Sequence, residues 1–82
     1  MKNKFKICDK VCCRFGKKLK YGIIVDVINR GDISPLCYVL FLKDRTLKEY
    51  KKPFIKAYDA AWLEATDIEM VLPEKKYGKL RK

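Results

Sequence analysis

Tyr21-Gly22-Ile23-Ile24-Val25-Asp26-Val27-Ile28 is the stretch whose reading decides the fold. Five of its last six residues are β-branched, the strongest β preference anywhere in the chain. It is too short and too β-branched for a good helix, and Gly22 would weaken one further. Read as a strand, it sends Ile23, Val25 and Val27 to one face and Ile24, Asp26 and Ile28 to the other. Both faces are mostly apolar, so the strand is expected at the centre of the molecule with packing on each side.

The neighbouring segments read as strands folded around it. Asp9–Phe15 alternates, with Val11, Cys13 and Phe15 against Lys10, Cys12 and Arg14, and Gly16-Lys17-Lys18 is a turn. Residues 29–35 are dense in turn formers and are expected to be a surface loop. Cys37–Leu42 is a continuous apolar run suited to a third core strand, and Lys43-Asp44-Arg45-Thr46 is a second turn. Within Leu47–Tyr58, Leu47-Lys48-Glu49-Tyr50 is either a short helix or a strand extension, and Pro53 interrupts both. Residues 60–65 are expected to be a fourth strand. Thr66–Glu69 reads as one capped turn with the Thr66 hydroxyl on the Glu69 amide, and Met70-Val71-Leu72 as a short closing strand.

These elements describe a mainly β chain. The expected architecture is a small five-stranded antiparallel barrel, closed or half-closed, with a short helical turn. The expected domain plan is a basic arm over residues 1–8 (or the lead-in to the first strand), the barrel over 9–72, and a basic tail over 73–82. At 82 residues the core is small, since a chain of this size buries only about 60% of its unfolded surface. No apolar run reaches the roughly 20 residues of a membrane span, and no signal-type stretch follows the basic start, so a soluble, non-secreted monomer is expected.

Charge carries the functional signal. The net charge is +10, from 20 basic and 10 acidic residues, 16 of the bases being lysine. Residues 1–20 hold eight positive charges and one negative, residues 43–56 six and two, and residues 75–82 five and none. Between the last two blocks lie five acids and no base. Such blocks suit a polyanion, and lysine suits sequence-independent phosphate contact better than base reading. The expected nucleic-acid contacts are Lys4, Lys6, Arg14, Lys17, Lys18, Lys20, Lys75, Lys76 and Lys79. The alternatives are a solvated lysine surface, or an interaction barrel of bacterial, phage or viral origin that binds an acidic protein.

Enzyme chemistry is poorly supplied. The chain has no histidine to serve as a general base and no glycine-rich phosphate loop, and its carboxylates show no paired arrangement. No cofactor is expected. Four cysteines without histidine could bind zinc only as four thiolates, and the adjacent Cys12 and Cys13 would point to opposite strand faces. Reduced, metal-free thiols are the expectation.

Three segments in order resemble the PWWP branch of the Tudor, chromo-barrel and PWWP superfamily of SH3-like barrels. Asp9-Lys10-Val11-Cys12-Cys13-Arg14 stands in place of that family's opening strand. Leu19-Lys20-Tyr21-Gly22-Ile23-Ile24-Val25 stands where the family has its naming tetrapeptide and following aliphatics, with Tyr21 the aromatic at the third position. Tyr38–Leu42, Ala61-Trp62-Leu63 and Asp67-Ile68 resemble its later strands and closing turn. The resemblance implies a chromatin reader that holds DNA phosphates through basic surface and binds methylated lysine of a histone tail in an aromatic cage. That would make it nuclear if eukaryotic and cytoplasmic otherwise. The cage positions map onto Phe15, Tyr21 and Phe41, whose rings would face a quaternary ammonium. Phe15 and Phe41 also fall on apolar strand faces, where ordinary core packing is the alternative. Trp62 corresponds to a residue of the barrel wall and is expected to be buried, against Val25 and Val39.

Overall fold

A computed structural model describes residues 5–71, and the chain is mainly β. Its elements are β1 (Lys10–Phe15), β2 (Lys18–Arg30), β3 (Ile33–Lys43), β4 (Glu49–Asp59), a single 3-10 turn at Ala60–Trp62, and β5 (Leu63–Ala65). All pairings are antiparallel, in the order β4-β3-β2-β1-β5, so the central stretch lies in the middle strand. β4 and β5 end the order without pairing to each other, and the sheet is barrel-like without being closed.

Both faces of β2 are covered, as its composition demands. On one face Val11, Cys13, Ile24, Cys37, Val39, Phe41, Ala60 and Leu63 form the main core, with Phe54 and Tyr58 of β4 against it. Residues from strands near both edges share this cluster, so the sheet wraps around it. On the other face Ile23, Leu40, Leu42 and Met70 cluster with Tyr21, Val25, Ile55 and Ile68. The segment after β5 therefore lies across the back of the sheet and seals it.

The faces of β2 differ from simple alternation because of a β-bulge. Ile24 pairs with Val39 but Asp26 with Tyr38, which leaves Val25 as the extra residue. Parity then changes: Val25 stays with Ile23 on the back cluster, whereas Val27 joins Ile24 on the main core. A second bulge at Leu42 lies between the Gly22–Phe41 and Tyr21–Lys43 pairs.

Several other expectations are corrected. The loop expected at 29–35 is a two-residue hairpin turn, Gly31-Asp32, flanked by the Arg30–Ile33 pair. Gly31 has φ +71, and Pro35 sits at a register shift where its missing N–H costs nothing. Residues 49–59 form one long edge strand, and Pro53 is accommodated at an irregularity between the Lys43–Glu49 and Phe41–Phe54 pairs. The strand expected over 60–65 begins only at Leu63, because Asp59 caps a 3-10 turn by accepting the Ala61 amide at 2.9 Å. Ala60 and Leu63 take the buried positions and Trp62 is turned outward, 56% exposed, so it does not pack on Val25 and Val39. Thr66 Oγ1 accepts from the Ile68 amide at 3.4 Å, not from Glu69. Met70 and Val71 are irregular backbone, although the Met70 side chain is buried; Leu72 lies outside the described residues.

Candidate nucleic-acid interface

Register places Lys20 on the main-core face of β2, opposite Cys13 of β1. Its ammonium lies over three rings, 5.1 Å from the Phe41 centroid and 5.7 Å from those of Phe54 and Tyr58. It also donates to the Tyr58 hydroxyl at 3.3 Å. The rings support one another: Phe41 and Phe54 are 5.4 Å apart, Phe41 and Tyr58 meet edge to face at 6.0 Å, and Tyr50 meets Phe54 at 5.1 Å. The chain thus builds an aromatic cluster and fills it with its own cation. Residues 50, 54 and 58 share strand parity, a signal that a strand assignment for 49–59 would have exposed.

Two hairpin tips meet at the same end of the sheet. The β1–β2 turn is Gly16-Lys17, with φ +64 at Gly16, and the β3–β4 turn begins at Asp44. Asp44 organises its own loop. Its Oδ1 accepts from the Thr46 amide and hydroxyl (2.8 and 2.7 Å) and from the Lys48 amide (3.0 Å). The Thr46 hydroxyl first, then the Lys48 amide, hold its carboxyl below the ordinary aspartate range. Leu47 completes the turn with φ +69.

Between these tips lies an open cleft of about 420 Å³, lined by Lys17, Lys18, Leu19, Lys20, Asp44, Arg45, Thr46 and Tyr50. Four cationic side chains face one carboxylate there, and that carboxylate is engaged by its own turn. Arg45, from the charge block at 43–56, is a lining cation not among the expected contacts.

An exposed aromatic pair adjoins this cleft. Phe15 is directly opposite Lys18 in the β1–β2 ladder, and its ring meets that of Trp62 edge to face at 6.0 Å and 69°. Both are more than half exposed. The backbone beneath Trp62 is well anchored: Asp59 caps the 3-10 turn and also takes a 2.8 Å salt bridge from Arg30, whose guanidinium donates twice to the Ser34 carbonyl.

The expected cage residues are not brought together. Phe41 is fully buried in the main core, Tyr21 packs on the opposite face of the sheet, and Phe15 stands outside with Trp62. Plain alternation separates two of them, since Tyr21 pairs with Cys12 whereas Phe15 shares the face of Cys13, and Phe41 lies beneath Lys20 against the rings of β4. Among the expected nucleic-acid contacts, Lys17, Lys18 and Lys20 do converge, but the Lys20 ammonium is committed to the rings. Arg14 is exposed on the other sheet face, alongside Cys12. Lys6 is exposed near Asp9, whose carboxylate accepts the Lys6 amide at 2.9 Å, away from the cleft. Lys4, Lys75, Lys76 and Lys79 lie outside the described residues.

The thiols sit apart. Cys8 is exposed, while Cys12, Cys13 and Cys37 are buried, and Cys13 and Cys37 belong to the main core. Burial is the first cause raising each of the three buried thiols above its ordinary value. Among the described residues, no three His, Cys, Asp or Glu side chains converge as metal ligands would. Set against protein-family models, curated proteins and solved structures, the chain finds no match in any of the three.

Proposed function

We propose that this protein is a non-enzymatic nucleic-acid-binding module that grips phosphates between its two hairpin tips. One observation carries the reading: Lys17, Lys18 and Arg45 converge on an open cleft whose single carboxylate is turned into its own loop. Lysine-dominated contact of this kind is sequence-independent and acts through counterion release. The net charge of +10 and the resemblance of segments across residues 9–72 to PWWP barrels support the same reading.

The test is a titration of the full chain against labelled DNA at several salt concentrations. The logarithm of the affinity is expected to fall linearly with the logarithm of salt, with a slope of about −0.7 to −0.9 per phosphate neutralised. Reversing Lys17, Lys18 and Arg45 together to Glu should weaken binding similarly for unrelated sequences. Lys20 is left in place, because its ammonium is part of the core. Absence of binding at low salt, or equal competition by polyglutamate, would assign the cleft to acidic proteins or to no ligand.

A further inference from the structure

We propose that the nucleic acid this module binds is single-stranded, and that Phe15 and Trp62 form the platform on which one of its bases stacks. The proposal rests on the nucleic-acid reading above and deepens it. Its starting point is an expense that folding does not explain. Leaving a large apolar ring in water forgoes the favourable burial that drives folding. Here two aromatic rings, each over half exposed, are placed against each other on the surface. Trp62 could have been buried in a strand over 60–65; instead Ala60 and Leu63 fill the core and the 3-10 turn aims the indole outward.

The rings meet at 69°, so they cannot sandwich a base between parallel faces. They form a corner, in which a base stacks on one ring and abuts the other. Such a corner is sequence-tolerant, because every base offers a π-face. A base pair inside a duplex has both faces covered by its stacked neighbours. An extended single strand does, and it carries a phosphate next to every base.

Charge decides between a nucleic acid and an apolar peptide as the occupant. Lys18 is directly cross-strand from Phe15, and Cβ atoms in such pairs lie about 4.5–5.5 Å apart. The Lys18 stem therefore rises beside the Phe15 ring, and the ammonium reaches the phosphate flanking a base stacked there. Lys17 and Arg45 continue the positive surface into the cleft, so the backbone has a track leading away from the corner. Aromatic rings beside a basic groove are the combination that binds single strands without sequence preference.

Trp62 is the chain's one tryptophan, which makes the test direct. The probes are a dT12 oligonucleotide, a U12 oligoribonucleotide, a 12-mer of abasic deoxyribose phosphate and a DNA duplex. Tryptophan fluorescence is expected to be quenched by dT12 or U12, and not by the abasic strand or the duplex. Phe15→Ala and Trp62→Ala should each weaken binding to the quenching oligonucleotide by about 5- to 150-fold and leave the abasic strand's affinity unchanged. Phe15→Tyr, which keeps a stacking face, should bind as wild type does, and the unchanged abasic-strand affinity of the two alanine variants excludes a folding defect. If binding is salt-dependent but the abasic strand or the duplex binds as tightly as dT12 and U12, with fluorescence unchanged, the stacking platform is overturned and the phosphate cleft stands. If no probe binds, both readings fall.

Discussion

Gly22 offers a sharp quantitative test of the strand pairing, because its φ is ordinary and its need for glycine is purely steric. A Cβ built there would overlap the Leu40 carbonyl oxygen and lie 2.8 Å from Val39 Cγ1, where ordinary contact begins near 3.4 Å. The Val39 side chain is locked in a close-packed core and the carbonyl is backbone, so neither can swing away. Relief requires β2 and β3 to part by roughly 1 Å, which stretches flanking ladder bonds from about 2.9 Å beyond useful length. Two bonds weakened at about 1 kcal/mol each, with about 1–3 kcal/mol of overpacking, give a cost of about 3–5 kcal/mol for Gly22→Ala. A chain of this size holds about 4–12 kcal/mol in total, so the variant should lose at least about a quarter of its stability.

Urea melts followed by circular dichroism measure this, and the midpoint should fall by more than about 1 M. Gly16→Ala is the contrasting control. A Cβ at Gly16 meets nothing within 4 Å, but φ is +64, so the cost is dihedral, about 1–2 kcal/mol. Gly16→Asn should recover part of it, since Asn tolerates the left-handed region. A Gly22→Ala variant within about 0.5 kcal/mol of wild type, a spread typical of surface substitutions, would refute the close β2–β3 approach.

Lys20→Met keeps the stem and removes the cation from the three rings. It should destabilise by about 1–2 kcal/mol in the same melts, and Lys20→Glu, which puts an anion over the ring faces, by more. In the native protein one thiol, Cys8, should react promptly with a thiol reagent, and Cys12, Cys13 and Cys37 only on unfolding, because burial raises their thiol pKa and the thiolate is the reactive form; peptide mapping of the labelled sites checks this. Asp59 is held below the ordinary aspartate range, first by the Ala61 amide and also by Arg30. A depressed carboxyl contributes stability above its unfolded value of about 3.9 and loses it as pH falls through the lower folded value. Urea midpoints should therefore drop below about pH 4, and by less in Asp59→Asn, which keeps an oxygen to cap the 3-10 turn but has no charge to titrate.

The β class, the central position of β2 and the turns at Gly16 and Asp44 were legible in the chain itself. They rest on local chemistry: period-two apolar patterning, β-branched residues, and a glycine or aspartate where a turn needs one. Convergence of Lys17 and Lys18 was legible for the same reason, since they sit on and beside one tight turn. Val27, Trp62, Tyr50, Phe54 and Tyr58 were not. The bulge at Val25 moves Val27 to the other face, and its position is set by how β2 meets β3, not by either strand alone. Trp62 stands outside because Asp59, held by Arg30 from a distant hairpin, starts a 3-10 turn that leaves the core to Ala60 and Leu63. Tyr50, Phe54 and Tyr58 line one face only once β4 runs unbroken past Pro53, which an edge strand tolerates and an isolated segment does not announce. Residue type and alternation were enough to say that this chain makes strands. Which rings are buried, and which cation they hold, depended on long-range register, because a one-residue shift in pairing exchanges core for surface.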